Sequence, residues 1–143
     1  TAIEQFDVQL PGTLVWGFDA GWHEAEYTPA VGVWHWTSER SSVRVYGATT
    51  GVRVTLEFES PRRYFDAPVT LRAIARDEEV ASSTVEAPSW SFEVPADRLR
   101  AADGLITLET SHAFVPAERG GGPDHRRLGL RVFSIRVESV GLR

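Results

Sequence analysis

Hydrophobic and polar residues alternate along much of this chain. Between residues 52 and 59, Val, Val, Leu and Phe take the even positions, and Arg, Thr, Glu and Glu take the odd ones. A period of two places all the apolar side chains on one face, as in a half-buried β-strand. Similar patterns or short apolar runs occupy residues 13–18, 33–36, 43–46, 69–75, 80–86, 89–94, 106–109 and 133–138. The pattern therefore predicts about eight or nine short strands.

The spacing of these strands, with Pro and Gly between them, is typical of an all-β protein. We predict an antiparallel β-sandwich of jelly-roll type, formed as one domain by residues 1–143. The only helix candidate is residues 96–102, between Pro95 and Gly104, so at most one short helix is expected. Near residues 128–133 the apolar positions change from even to odd, which predicts a β-bulge or a strand start that is buried on both faces.

The amino-acid composition argues against several classes of function. The net charge is -5 and all 15 basic residues are arginine, so nucleic acid is not an expected partner. No apolar run is long enough for direct membrane insertion. The chain has no cysteine, which excludes disulfides and thiolate metal sites. It also has no methionine and starts at Thr1, which favours a domain cut from a larger parent chain.

Aromatic residues concentrate near the start of the chain. Residues 21–26 (Gly-Trp-His-Glu-Ala-Glu) and 33–36 (Val-Trp-His-Trp) hold three of the five tryptophans and two of the four histidines. In an extended strand Trp34 and Trp36 share a face, and two indoles side by side form an apolar platform of the kind that binds sugar rings. The alternative interpretation is that these indoles are core side chains.

Glu24 and Glu26 lie two residues apart, yet paired glycosidase carboxylates normally flank a cleft from different strands. We therefore predict no catalytic residues and no enzyme activity for the domain itself. Residues 21–26 also lack the second histidine of a helical zinc motif. No cofactor and no metal site are expected, with a structural calcium ion on oxygen ligands as the open alternative.

A glycine-rich segment follows at residues 119–129. It lacks the lysine and serine of a phosphate-binding loop and does not lead into a predicted helix, so a nucleotide site is not expected. Its Asp124, Arg126 and Arg127 either contact a ligand or pair with one another to hold the loop. If the site lies at the strand ends, residues 21–26 and 119–127 converge there.

Together, residues 21–26, 33–36, Trp90, 114–118 and 124–130 resemble, in order, a galactose-binding-like β-jelly-roll domain. Domains of that kind are appended to bacterial membrane glycosyltransferases and to cell-surface polysaccharide proteins. The resemblance spans nearly the whole chain, and its two best parts are the Gly-Trp-x-x-x-Glu turn and the Asp-x-Arg-x-Leu-Gly return. It implies a carbohydrate-binding-like fold that works outside the cytoplasm, in the cell envelope, periplasm or cell surface.

The sequence therefore predicts a noncatalytic accessory module that binds a glycan or polysaccharide for a larger parent protein. The candidate contacts are Trp22, Glu24, Glu26, Trp34, Trp36 and Arg127. A structural or protein-interaction domain without a small ligand is the main alternative. A carbohydrate-active enzyme is the third possibility and would need two facing acids in a cleft.

Overall fold

Two five-stranded antiparallel sheets pack face to face in the computed structural model, which describes residues 14–60, 68–120 and 122–140. The strands are β1 (Trp16–Phe18), β2 (Glu26–Thr28), β3 (Gly32–Trp36), β4 (Arg40–Val45), β5 (Val52–Glu59), β6 (Thr70–Ala75), β7 (Glu78–Thr84), β8 (Ser89–Val94), β9 (Leu105–Thr110) and β10 (Arg131–Ser139). The first sheet has the order β1-β4-β9-β6-β7, and the second has the order β2-β3-β10-β5-β8.

The strand pairs have a jelly-roll pattern. Counting from the two ends, β3 pairs with β10, β4 with β9, β5 with β8 and β6 with β7. The strands β3 to β6 therefore pair, in reverse order, with the strands β7 to β10. Successive pairs belong alternately to the second and the first sheet. The predicted all-β jelly-roll sandwich is confirmed, and the described part of the chain contains ten strands rather than eight or nine.

The core lies between the sheets and follows the alternation of the sequence. In β5 the side chains of Val52, Val54, Leu56 and Phe58 are at most 2% exposed, while the charged residues between them face solvent. The opposite sheet contributes residues such as Val43, Ile106 and Leu71 to the same cluster. The period-two pattern therefore describes the two faces of each sheet correctly.

Several strand boundaries differ from the predicted ones. The strand β2 was missed because it is only three residues long and ends beside Pro29, so it has no alternating pattern of its own. Its order comes from antiparallel pairing with β3. The first predicted strand, residues 13–18, corresponds to β1, which covers only Trp16–Phe18. Its predicted first residue, Thr13, lies outside the described residues.

Within the described residues there is one α-helix, α1 (Ala96–Ala101), which follows Pro95 as predicted and ends before Gly104. The N–H of Gly104 donates to the carbonyl oxygen of Leu99. The predicted bulge is also present, because the register between β10 and β5 shifts between Val132 and Ser134. No helix in the described part of the chain is long and apolar enough to cross a membrane.

Candidate functional site

The two segments that the sequence predicted to converge do meet, at the β2 edge of the second sheet. A guanidinium nitrogen of Arg126, Nη1, donates to Oε2 of Glu26 at 2.8 Å. The imidazole Nε2 of His23 lies 2.9 Å from the carbonyl oxygen of Arg127. The return of the loop is closed at its base by two backbone hydrogen bonds of 2.8 Å between Phe114 and Leu128. A long loop is thereby held against β2.

Arg126 also clasps its own loop. Its Nε and Nη2 donate to the carboxylate of Asp124, and its backbone N–H donates to Oδ1 of the same residue at 3.0 Å. These side-chain and backbone donors lower the pKa of Asp124 to about 2, because they stabilise the charged form. The pairing raises the pKa of Arg126. Of the two alternatives for the loop arginines, pairing within the loop is thus seen for Arg126.

The remaining polar candidates are more exposed. Glu24 lies in solvent between β1 and β2, and Arg127 donates to Oε1 of Glu39 at 3.0 Å. This hydrogen bond raises the pKa of Arg127. Glu26 faces the same side as Trp34, its register partner on β3. The structure therefore brings Glu26 close to the aromatic strand, but it places Glu24 and Arg127 on the periphery.

Trp34 and Trp36 do share the outer face of β3, as alternation requires, yet they do not form an open platform. Trp34 is only 8% exposed, because the guanidinium of Arg131 lies over its ring, 4.9 Å from the centroid. Its indole Nε1 is buried with no hydrogen-bond partner among the described residues. Trp36 is half-buried and packs edge-to-face with Phe114 at 5.8 Å. The expected pair of exposed indoles is wrong for Trp34.

Trp22 has a packing role. Its indole Nε1 donates to the carbonyl oxygen of Ser42 at 2.7 Å, and its ring contacts Phe18 at 4.9 Å between centroids. Phe18 in turn lies 4.2 Å from the imidazole of His35. The aromatic concentration near the start of the chain is therefore largely a cluster that joins the two sheets at one end of the sandwich.

Beside this cluster, a cleft opens in the second sheet between β3 and β10. Only two residue pairs join these strands in the described register, Arg131 with Trp36 and Val132 with His35. Beyond them a cavity of about 340 Å³ separates the strands. That volume falls within the range of about 300 to 1,000 Å³ that is usual for small-molecule sites. The described lining residues are Trp16, Phe18, Ala25, Val33, His35, Val132, Phe133, Ser134 and Ile135.

Exposed apolar side chains lie on the two strands that border the cleft and on the neighbouring strand β2. Tyr27 is 65% exposed and pairs across the hairpin with Val33, which is 50% exposed, so the two side chains share a face. Phe133, at the bulge, is 36% exposed and lies on the opposite strand. Next to it, the hydroxyl of Ser134 donates to Oε1 of Glu57 at 2.6 Å. Aromatic faces and polar groups therefore occur together at this opening.

Sequence reasoning missed the cleft, although one signal for it was present. The change of apolar phase near residues 128–133 marks the bulge that turns Phe133 outward. Nothing in the sequence indicates that β3 and β10 separate after two pairs. Trp16 and Phe18, from β1 in the first sheet, lie beneath the opening.

The described side chains are not arranged as a metal site or as a pair of facing catalytic carboxylates. Within the described ranges, no group of three or more His, Asp or Glu side chains is arranged to hold a metal ion. Glu26 is ion-paired with Arg126 rather than facing a second carboxylate. Comparisons with protein families, with curated proteins and with solved structures found no match for this chain.

Proposed function

We propose that this chain is a noncatalytic carbohydrate-binding module and that it binds a glycan in the cleft between β3 and β10. The observation that supports this most is the combination of an aromatic-lined cleft of about 340 Å³ with Tyr27 and Phe133 exposed beside it. Apolar cavities with a few polar groups at their edge are the usual form of small-molecule sites, and exposed apolar side chains that adjoin one another often mark an interaction surface.

The chemistry of the cleft suits a sugar ring. One face of a pyranose carries C–H groups with partial positive charge, and these are attracted to the negative face of an aromatic ring. Phe133 lines the cleft, with the guanidinium of Arg131 over its ring 5.1 Å from the centroid, and Trp16 and Phe18 provide an apolar floor. Tyr27, exposed on β2 and paired with the lining residue Val33, would offer a second ring face. Ser134 lines the opening and donates its hydroxyl proton to Glu57. The oxygens of both side chains would accept hydrogen bonds from sugar hydroxyl groups.

The resemblance of the sequence motifs to galactose-binding-like domains indicates the kind of parent protein and its location. We infer an accessory role in a bacterial cell-envelope protein that acts on glycans, outside the cytoplasm, with the rest of a parent chain as a physical partner. The fold by itself carries no function, since jelly rolls serve many purposes. The resemblance and the cleft support the proposal independently of each other.

The test is a microbial-polysaccharide array probed with the whole chain, followed by titration of each hit into ¹⁵N-labelled protein. We expect saturable shifts of the Ala25 and Ser134 amides, which lie at the cleft. Phe133→Ala and Tyr27→Ala should each weaken binding about tenfold, as expected for the loss of one stacking contact of about 1 to 1.5 kcal/mol. Thr84→Ala is the control, because Thr84 is exposed on β7 in the other sheet and lines neither the cleft nor the second groove.

Two results would contradict the proposal. One is an array with no hit while the variants remain folded. The other is a hit that shifts amides elsewhere and binds the cleft variants as tightly as the original chain. The first result would favour the alternative of a protein-interaction domain, for which the exposed side chains of Tyr27, Val31 and Val33 on the hairpin are the supporting observation.

A further inference from the structure

A second groove lies away from the cleft, between α1 and the connection from β4 to β5. Its volume is about 290 Å³, and polar groups make up much of its wall. The described lining residues are Arg44, Val45, Tyr46, Gly47, Ala48, Thr49, Thr50, Ala96, Leu99, Arg100, Asp103 and Gly104. None of them lines the cleft of the proposed function.

Residues with small side chains form one wall of this groove. Gly47 has a φ of 73°, and a Cβ placed there would meet no atom within 4 Å. Gly47 and the following Ala48, Thr49 and Thr50 leave the ring of Tyr46 50% exposed at the edge of the groove. An aromatic face therefore borders an open polar space, with threonine hydroxyls on the same wall.

The charged groups in the lining are two guanidinium groups and one carboxylate. Arg44 donates through Nη1 to the carbonyl oxygen of Asp103 at 2.5 Å and lies 3.3 Å from its Oδ2, and its Nε lies 3.4 Å from Oδ2 of Asp19. Arg100 is exposed and forms no ion pair with any described residue. Of the two arginines that line the groove, Arg44 is therefore ion-paired and Arg100 is not.

We propose that this groove binds a saccharide that carries a carboxylate, such as a uronic acid. The planar fork of Arg100 would take the carboxylate in two parallel hydrogen bonds, and Tyr46 would contact the C–H face of the ring. The threonine hydroxyls and Asp103 would take ring hydroxyls. Because Arg44 is already paired with Asp103 and Asp19, the guanidinium of Arg100 is the group in this lining that would complement an anionic ligand.

The inference does not depend on the cleft, because different residues and a different amide signature report on each site. The experiment titrates the ¹⁵N-labelled chain with sodium D-glucuronate, with D-glucose, and with sodium chloride at matched ionic strength. We expect glucuronate to shift the amides of Gly47, Ala48 and Gly104 at concentrations at which glucose and sodium chloride do not. Raising the salt concentration should weaken the effect, since exposed charges are screened.

Arg100→Gln is the decisive variant, because this side chain makes no ion pair with the described residues and its loss should leave the fold intact. A charge-assisted hydrogen-bond pair is lost, so we expect glucuronate affinity to fall about tenfold or more. Tyr46→Ala should weaken binding as well, and Tyr27→Ala, at the cleft, serves as the control that should not.

Equal binding of glucose and glucuronate, or unchanged affinity in Arg100→Gln, would overturn the proposal. So would the absence of shifts at the groove amides. Shifts at Ala25 and Ser134 in the same titration report on the cleft separately, so failure at one site is distinguishable from failure at the other.

Discussion

Two glycines with nearly the same φ provide a test of what the fold requires at the turn after β1. Gly21 has a φ of 92° and Gly32, in the β2–β3 hairpin, has a φ of 93°. A Cβ on Gly21 would lie 1.9 Å from the carbonyl oxygen of Arg40, whereas a Cβ on Gly32 would meet nothing within 4 Å. Alanine at Gly32 therefore reports the cost of positive φ alone, and alanine at Gly21 adds a collision with backbone.

The magnitudes follow from these contacts. Gly32→Ala should cost about 1 to 2 kcal/mol, the penalty for an L-residue in left-handed backbone. Gly21→Ala must also displace the chain, and the carbonyl oxygen of Gly21 accepts from the Ser38 N–H at 3.1 Å and from the Ser41 hydroxyl at 2.9 Å. Losing both bonds adds about 1 to 3 kcal/mol, for a total of about 2 to 5 kcal/mol.

Urea unfolding followed by circular dichroism measures both variants against the original chain. With a slope of about 2 kcal/mol/M for a domain of this size, the midpoint of Gly21→Ala should lie about 0.5 to 1.5 M below that of Gly32→Ala. Equal midpoints would refute the argument, since the close approach of Arg40 would then have no energetic consequence. A midpoint that is lower for Gly32→Ala would refute it more strongly.

Two further predictions concern the loop and the core. The pKa of Asp124 should be about 2, measured by ¹³C NMR of its carboxyl group, and Arg126→Gln should raise it towards the ordinary value of about 3.9. Because the pKa is lowered by folding, its stabilising effect should be complete above about pH 4 and lost as the pH falls towards 2, and a carboxyl that titrates near 4 in the original chain would contradict the clasp. Leu56→Ala should lower the free energy of unfolding by about 2 to 5 kcal/mol, since Leu56 is 1% exposed. Arg53→Ala, at an exposed ion pair on the same strand, should cost less than about 1 kcal/mol, and similar costs at the two positions would contradict the assignment of faces.

Much of the fold was predictable because it depends on local order along the chain. The alternation at residues 52–59 predicted both a strand and its buried face, and the phase change near residue 132 predicted a bulge. The strand β2 was not predictable, because its three residues have no periodic pattern and are ordered by pairing with β3.

The candidate site was predicted in part. Residues 21–26 and the glycine-rich return were expected to converge, and Arg126 and His23 make the contacts that join them. The sequence did not reveal that Arg126, rather than its neighbour Arg127, would reach Glu26. It also did not reveal that Arg131 would cover Trp34, since both contacts join residues far apart in the chain.

By itself, the sequence determined the class of the fold, because alternation sets which side chains face the core and Pro and Gly set where strands end. Tertiary structure alone decided where a ligand has room to bind. The cleft lies where β3 and β10 separate after two residue pairs, above Trp16 and Phe18. The groove lies where α1 and the connection from β4 to β5 bring Arg100 and Tyr46 into the same lining. The physical reason is that a cavity is the space left between segments, and no segment of the chain encodes that space alone.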